Sequence, residues 1–107
     1  MIYDFMRLLL FFDLPVKTKE DRKNYASFRK YLIQNGYIMM QYSVYCKIFA
    51  NRESIVHHVS GLQRNVPKKG QIRIMAVTEK QYAKIEVIVG GKSVQETLVN
   101  SESFLKL

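Results

Sequence analysis

Acidic side chains are scarce in this chain: nine, against seventeen lysines and arginines, with one cysteine and two prolines among 107 residues. Each scarcity excludes something. Cys46 has no second thiol to pair with, so no internal disulfide forms and nothing points to an oxidising compartment. No apolar run approaches the roughly 18 residues that cross a bilayer. The opening residues, with Asp4 and Arg7, lack the basic-apolar-small order of a secretory signal. A cytoplasmic location without a membrane partner is therefore expected. Glycine-rich phosphate loops, GxSxG, HExxH and CxxC are all missing, which removes the commonest enzyme signatures. The shortage of acids leaves a net charge of +8. On a small domain that balance favours a polyanionic partner, most often nucleic acid.

What is present suits a folded core. A hydrophobic fraction of 48% and an aromatic fraction of 12% are those of a globular chain long enough to fold without staples. The expectation is a single domain over 1–107, with its core in 1–91 and a tail in 92–107. Met6 to Phe12 is apolar on both parities, with Met6, Leu8, Leu10 and Phe12 on one face and Leu9 and Phe11 on the other. Such a strand needs cover on both sides. Thr18 with Asp21 three residues on, and Glu20 between, opens a helix. Tyr25, Phe28 and Leu32 continue it, and Asn35-Gly36 stops it.

Ile38 to Ile48 alternates with period two and reads as one long strand, Ile38, Met40, Tyr42, Val44, Cys46 and Ile48 facing one way. Asn51 caps a second helix carrying Ile55, Val59 and Leu62. It stops before Pro67, and Pro67-Lys68-Lys69-Gly70 makes an exposed loop. Gln71 to Thr78 is a further strand, Thr78 caps one turn through Tyr82, and Ile85 to Val89 is expected as the fourth strand. Phe104, Leu105 and Leu107 suggest a short final one. The order is that of a ferredoxin-like α+β domain, β-α-β-β-α-β, with an antiparallel sheet and both helices on one face. The other face, apolar in the first strand, is expected to meet a second copy in a face-to-face homodimer.

Bases cluster twice. Lys17, Lys19, Arg22, Lys23, Arg29 and Lys30 form one group, and Arg64, Lys68, Lys69 and Arg73 the other, without an acid in the latter. Lys17, Lys19 and Arg22 precede or open a helix whose dipole also favours anions. With Lys23, Lys68, Lys69 and Lys92 they are the candidate DNA contacts. His57 and His58 point about 100° apart on a helix and are read as ordinary surface residues. Cys46 is read as a buried structural thiol, and Tyr25 and Tyr42 as core.

Asp13 ends the first strand on the parity of Leu9 and Phe11. Two readings stand. Its carboxylate accepts backbone hydrogen bonds in the turn before Pro15. Alternatively, two copies approach across a dimer axis, where like charges repel unless a proton or a cation separates them. Mg²⁺, which takes oxygen ligands and keeps its waters, would bridge the pair and activate a water against a phosphodiester.

These residues resemble a family. The strand ending in Asp13-Leu14-Pro15, the helix start with Arg22-Lys23 and the Tyr42-Ser43-Val44-Tyr45 stretch are similar to those of the small CRISPR-associated adaptation protein Cas2. So are the loop at 67–70 and the Val-Thr-Glu-Lys-Gln-Tyr segment at 77–82. The match runs over nearly the whole chain and is weakest after Gly91. It looks most like the variants that accompany single-effector systems.

The resemblance implies a homodimer that bridges two dimers of the CRISPR-associated integrase Cas1. That assembly holds a prespacer DNA duplex and inserts it into CRISPR repeat DNA. It also implies a Mg²⁺-dependent endonuclease, with Asp13 as metal ligand and catalytic residue. One acid per subunit argues against a two-metal nuclease, so a DNA-binding scaffold is the leading expectation and an endonuclease acting on RNA or DNA the alternative. An RNA-recognition module places stacking aromatics on its central strands, and Gln71 to Val77 has none. A ligand-binding regulatory domain leaves the charge unexplained.

Overall fold

The computed structural model describes residues 5–90. Strand β1 (Met6–Asp13) is followed by helix α1 (Lys19–Gln34), strands β2 (Ile38–Gln41) and β3 (Val44–Phe49), helix α2 (Arg52–Gln63), strand β4 (Gln71–Thr78) and the single turn α3 (Glu79–Tyr82). The sheet is antiparallel in the order β2-β3-β1-β4, the α+β arrangement expected of a ferredoxin-like domain. Lys92 and the short strand expected at Phe104 to Leu107 lie outside the described residues.

Local chemistry explains each helix end. Thr18 Oγ1 accepts the Asp21 amide at 3.0 Å while Asp21 Oδ2 accepts the Thr18 amide at 3.2 Å, a complete capping box. Asn35 closes α1, and Gly36, at φ +88°, turns the chain. Asn51 Oδ1 accepts the Ser54 amide at 2.8 Å at the start of α2. Thr78 and Gln81 repeat the box at α3.

The core forms on one face of the sheet. Met6, Leu8, Leu10 and Phe12 meet Phe28 and Leu32 of α1, Tyr45 and Phe49 of β3, and Ile55 and Leu62 of α2. The rings of Phe28 and Tyr25 pack edge-on against Phe12, each at 5.5 Å between centroids. The opposite face is thinner. Leu9, Cys46 and Val77 are buried there, with Met40 and Tyr82 leaning on them.

Three expectations change. The long strand from Ile38 to Ile48 is a hairpin, broken at Tyr42-Ser43, and Tyr42 at its tip is exposed instead of lying in the core. The segment Ile85 to Val89 joins no strand of this sheet. The sheet still has four strands because the hairpin supplies the extra one. Finally, β4 is an edge strand, and β1 and β3 are the central pair. The lack of aromatics in β4 therefore says little about an RNA-recognition module. Phe11 is the single aromatic that the central strands turn to the open face.

Candidate nucleic-acid interface

One end of the sheet gathers segments that are far apart in sequence. Here β1 finishes, α1 begins and the loop before β4 returns. The return is tight. Gly70 sits at φ +96°, and a β-carbon there would lie 2.6 Å from the Asp13 carbonyl oxygen and 2.6 Å from Leu14 Cδ2. Only glycine permits both the left-handed backbone and the approach. Gly70 thereby seats Lys68 and Lys69 beside the start of α1.

The two basic groups converge at this end. Lys69 Nζ lies 3.9 Å from Asp21 Oδ1, and Asp21 is itself buried as the N-terminal cap partner. A groove lined by Glu20, Asn24, Pro67, Lys68 and Lys69 runs between loop and helix. Lys17, Lys19, Lys23 and Lys68 are exposed and have no ion-pair partner among the described residues. Arg22 differs. Its Nη1 donates to the carbonyls of Val16 at 3.1 Å and Lys17 at 3.0 Å, which braces the loop that presents Lys17 and Lys19. Arg73 leaves the cluster, because its register opposite Phe11 puts it on the open sheet face.

Asp13 stands on that same open face, opposite Gln71, as its parity requires. Its carboxylate is exposed and has no hydrogen-bond or ion-pair partner among the described residues. The turn before Pro15 therefore does not consume it. A shallow depression joins it to Phe11, Gln71 and Arg73. No group of three or more His, Cys, Asp or Glu side chains able to hold a metal occurs among the described residues. One lone carboxylate does not fit Mg²⁺, which needs several oxygen ligands.

The remaining candidates have structural work. Cys46 is buried, and its Sγ lies 3.7 Å from Arg7 Nη1. His58 Nε2 is 2.7 Å from the Tyr37 hydroxyl, with Phe49 beside the ring. Burial first, and then the Lys47 charge, lowers the His58 pKa. Burial pushes the Tyr37 hydroxyl far up, with Tyr31 adding to it. This pair is a neutral hydrogen bond at pH 7, while His57 is exposed.

Sequence reasoning missed two residues. Arg7 Nε donates to Glu79 Oε1 at 2.7 Å, and the guanidinium lies 3.8 Å from the Tyr82 ring centroid, which ties α3 across the open face. No spacing rule links residues 72 positions apart. Tyr42, expected in the core, is 74% exposed and stacks on Tyr25.

An antiparallel β2-β3-β1-β4 sheet with both long helices on one face and a cationic end defines a small ferredoxin-like domain. The family model for CRISPR associated protein Cas2 matches residues 6–85, and the chain belongs to that family. Among its relatives, a protein of Treponema denticola named CRISPR-associated endoribonuclease Cas2 is 49% identical over 95% of this chain and 100% of its own length. Proteins of the same name from Acidovorax ebreus and Streptococcus mutans are 44% and 42% identical. They cover 90% and 94% of this chain and 94% and 90% of their own lengths.

Proposed function

We propose that this CRISPR-associated protein is a homodimeric scaffold of spacer acquisition, which holds prespacer DNA by its phosphates and bridges two dimers of the Cas1 integrase. The observation that carries the reading is that the loop of Lys68 and Lys69 returns to the start of α1, which follows Lys17 and opens with Lys19, and that only Lys69 of the four lysines forms an ion pair among the described residues. Such a surface attracts a phosphate backbone without reading bases. Lys92 is proposed to extend it. The open face supports the dimer: Phe11, Ile48 and Met75 are 37%, 49% and 57% exposed there, an apolar set suited to a second sheet.

The test is the salt dependence of duplex binding. Replacing Lys17, Lys19 and Lys68 by glutamine together should lower the slope of log K against log salt by about three, one per lost phosphate contact. An unchanged slope in a folded triple variant refutes the placement. Co-purification of an integrase from the native host tests the bridging role.

Asp13 supports a second reading, a metal-dependent endonuclease acting on RNA or DNA, and the word endoribonuclease in the relatives' name favours its RNA-cleaving form. Since one carboxylate does not hold Mg²⁺, that reading requires the same aspartate from a second copy facing the first. Asp13→Asn separates the two. A scaffold keeps integration and loses any cleavage. Loss of integration in a folded, DNA-binding Asp13→Asn protein promotes the nuclease.

A further inference from the structure

Tyr42 occupies the tip of the β2–β3 hairpin and is three-quarters exposed although its ring has a stacking partner. One face of its ring lies on Tyr25, with centroids 6.1 Å apart and planes inclined by 25°. Tyr25 in turn rests edge-on against the buried Phe12, which stacks on the buried Tyr45 at 5.8 Å. The outer ring is thus braced by three more that reach into the core. The contact with Tyr25 favours one orientation of the ring, and at 74% exposure most of its surface is in solvent.

The backbone beneath is held in place as well. Ser43 adopts φ +67°, a left-handed conformation that disfavours a side chain. A bulge between Met39 and Gln41 adjusts the hairpin before its tip, and bulges of this kind re-aim side chains. The Phe12 amide donates to the Ser43 carbonyl at 3.1 Å, which fixes the tip to the end of β1. Strain of this kind persists where surrounding structure enforces it, often at binding sites.

The position supplies the ligand's chemistry. Tyr25 lines the same small groove as Pro15, Asp21, Asn24 and Lys69, so the ring stack borders the cationic end of the sheet. A flat ring backed by Tyr25, whose groove also holds Lys69, suits a nucleobase at the edge of the proposed phosphate-binding surface. Bases inside a duplex have both faces covered by neighbours, so a single exposed ring is served best by an unpaired base beyond the duplex end. We infer that Tyr42, backed by Tyr25, is a stacking platform for an unpaired nucleobase at the junction between a bound duplex and a single-stranded segment. The inference rests on the cationic end being the nucleic-acid surface, and it adds a preference that phosphate contacts cannot provide.

The full-length protein would be titrated by fluorescence anisotropy against three labelled probes: a blunt DNA duplex, the same duplex with an unpaired DNA tail, and one with an unpaired RNA tail. A 2-aminopurine as the first unpaired nucleotide reports stacking directly. The wild type should favour tailed probes about tenfold, the lower range for one stacked base. Tyr42→Leu should remove that preference and the change in 2-aminopurine emission, while blunt-duplex affinity and salt slope stay as they were. Tyr42→Phe should keep both. Thermal melts confirm that the variants fold, which the exposure of Tyr42 favours. If the wild type favours tailed probes and Tyr42→Leu favours them equally, the platform is wrong. A wild type that binds all probes alike refutes it too. A wild type that binds no probe overturns the cationic surface and the platform together.

Discussion

The two faces of the sheet are built from the same strand and obey different rules. On the helix side, Met6, Leu8, Leu10 and Phe12 are packed on every side by two helices. On the open side, Leu9 is buried by a thin cover from Met40 and Tyr82, Phe11 is part-exposed, and Arg7 and Asp13 carry opposite charges at either end. The closed face holds the fold together through burial. The open face holds little and presents much. A single run of apolar residues thus does two jobs, and alternation alone separates them.

The comparison can be broken most forcefully at its closed side. Leu10→Ala empties a site that has 0% exposure, and should cost about 2–5 kcal/mol by urea denaturation. Phe11→Ala, one residue along, should cost roughly 1 kcal/mol in the protomer. If the proposed dimer forms through this face, the larger effect of Phe11→Ala should appear in sedimentation, as weaker self-association. Equal losses of stability at both positions would abolish the distinction between the faces.

The next effect falls where both faces end. Gly70→Ala places a methyl against the Asp13 carbonyl and forces alanine into a left-handed conformation, for about 1–3 kcal/mol. Because the loop must move, duplex affinity should fall with stability. A Gly70→Ala protein with undiminished affinity would detach Lys68 and Lys69 from the proposed surface.

Smaller effects sharpen the contrast. Arg7→Met removes the contact to Glu79 and the cover over Tyr82, and should cost about 1 kcal/mol, a typical sum for a part-exposed ion pair and a cation–π contact. Limited proteolysis after Tyr82 should quicken, since α3 loses its tie to β1. The smallest change is in pH dependence. The His58 pKa is lowered in the fold, so between that value and the ordinary 6.5 the unfolded chain binds more protons than the native one. The stability owed to neutral His58 is complete above pH 6.5 and is lost as pH falls through that window. The difference in melting temperature between wild type and His58→Gln should therefore narrow on acidification from pH 7.5. A constant gap would show that the Tyr37 contact does not depend on a neutral ring.

Much of this was legible in the sequence, and the reasons are local. Thr18 with Asp21 and Asn51 before α2 are self-contained capping signals, and β1 shows its two-sidedness in eight residues. The hairpin was hidden by a cancellation. A two-residue turn at Tyr42-Ser43 would by itself swap which parity faces the core, and that swap would betray the turn. The extra residue at the bulge swaps it back, with Ile38 opposite Cys46 but Gln41 opposite Val44. Alternation therefore runs unbroken through two strands. No glycine or asparagine marks the tip either, since Ser43 takes the left-handed position. Of the site, the lysines could be named from the sequence, but not their convergence, which depends on Gly70 closing against β1. The parity of Asp13 was readable, and its lack of a partner was not.

The register of β1 also has a consequence for synthesis. The first strand made pairs with β3 and with β4, the last strand of the sheet. Ribosomes add roughly 5–20 residues per second, so about 3–13 s separate the emergence of Asp13 from that of Thr78. Throughout that interval Leu8 to Phe12 waits with one edge unpaired and greasy side chains on both sides. Its neighbour on that edge does not yet exist. The nascent chain therefore passes through a window in which its stickiest segment is a substrate for chaperones or for other nascent chains. Slowing translation between α2 and β4 should lower the soluble yield more than slowing it after Tyr82.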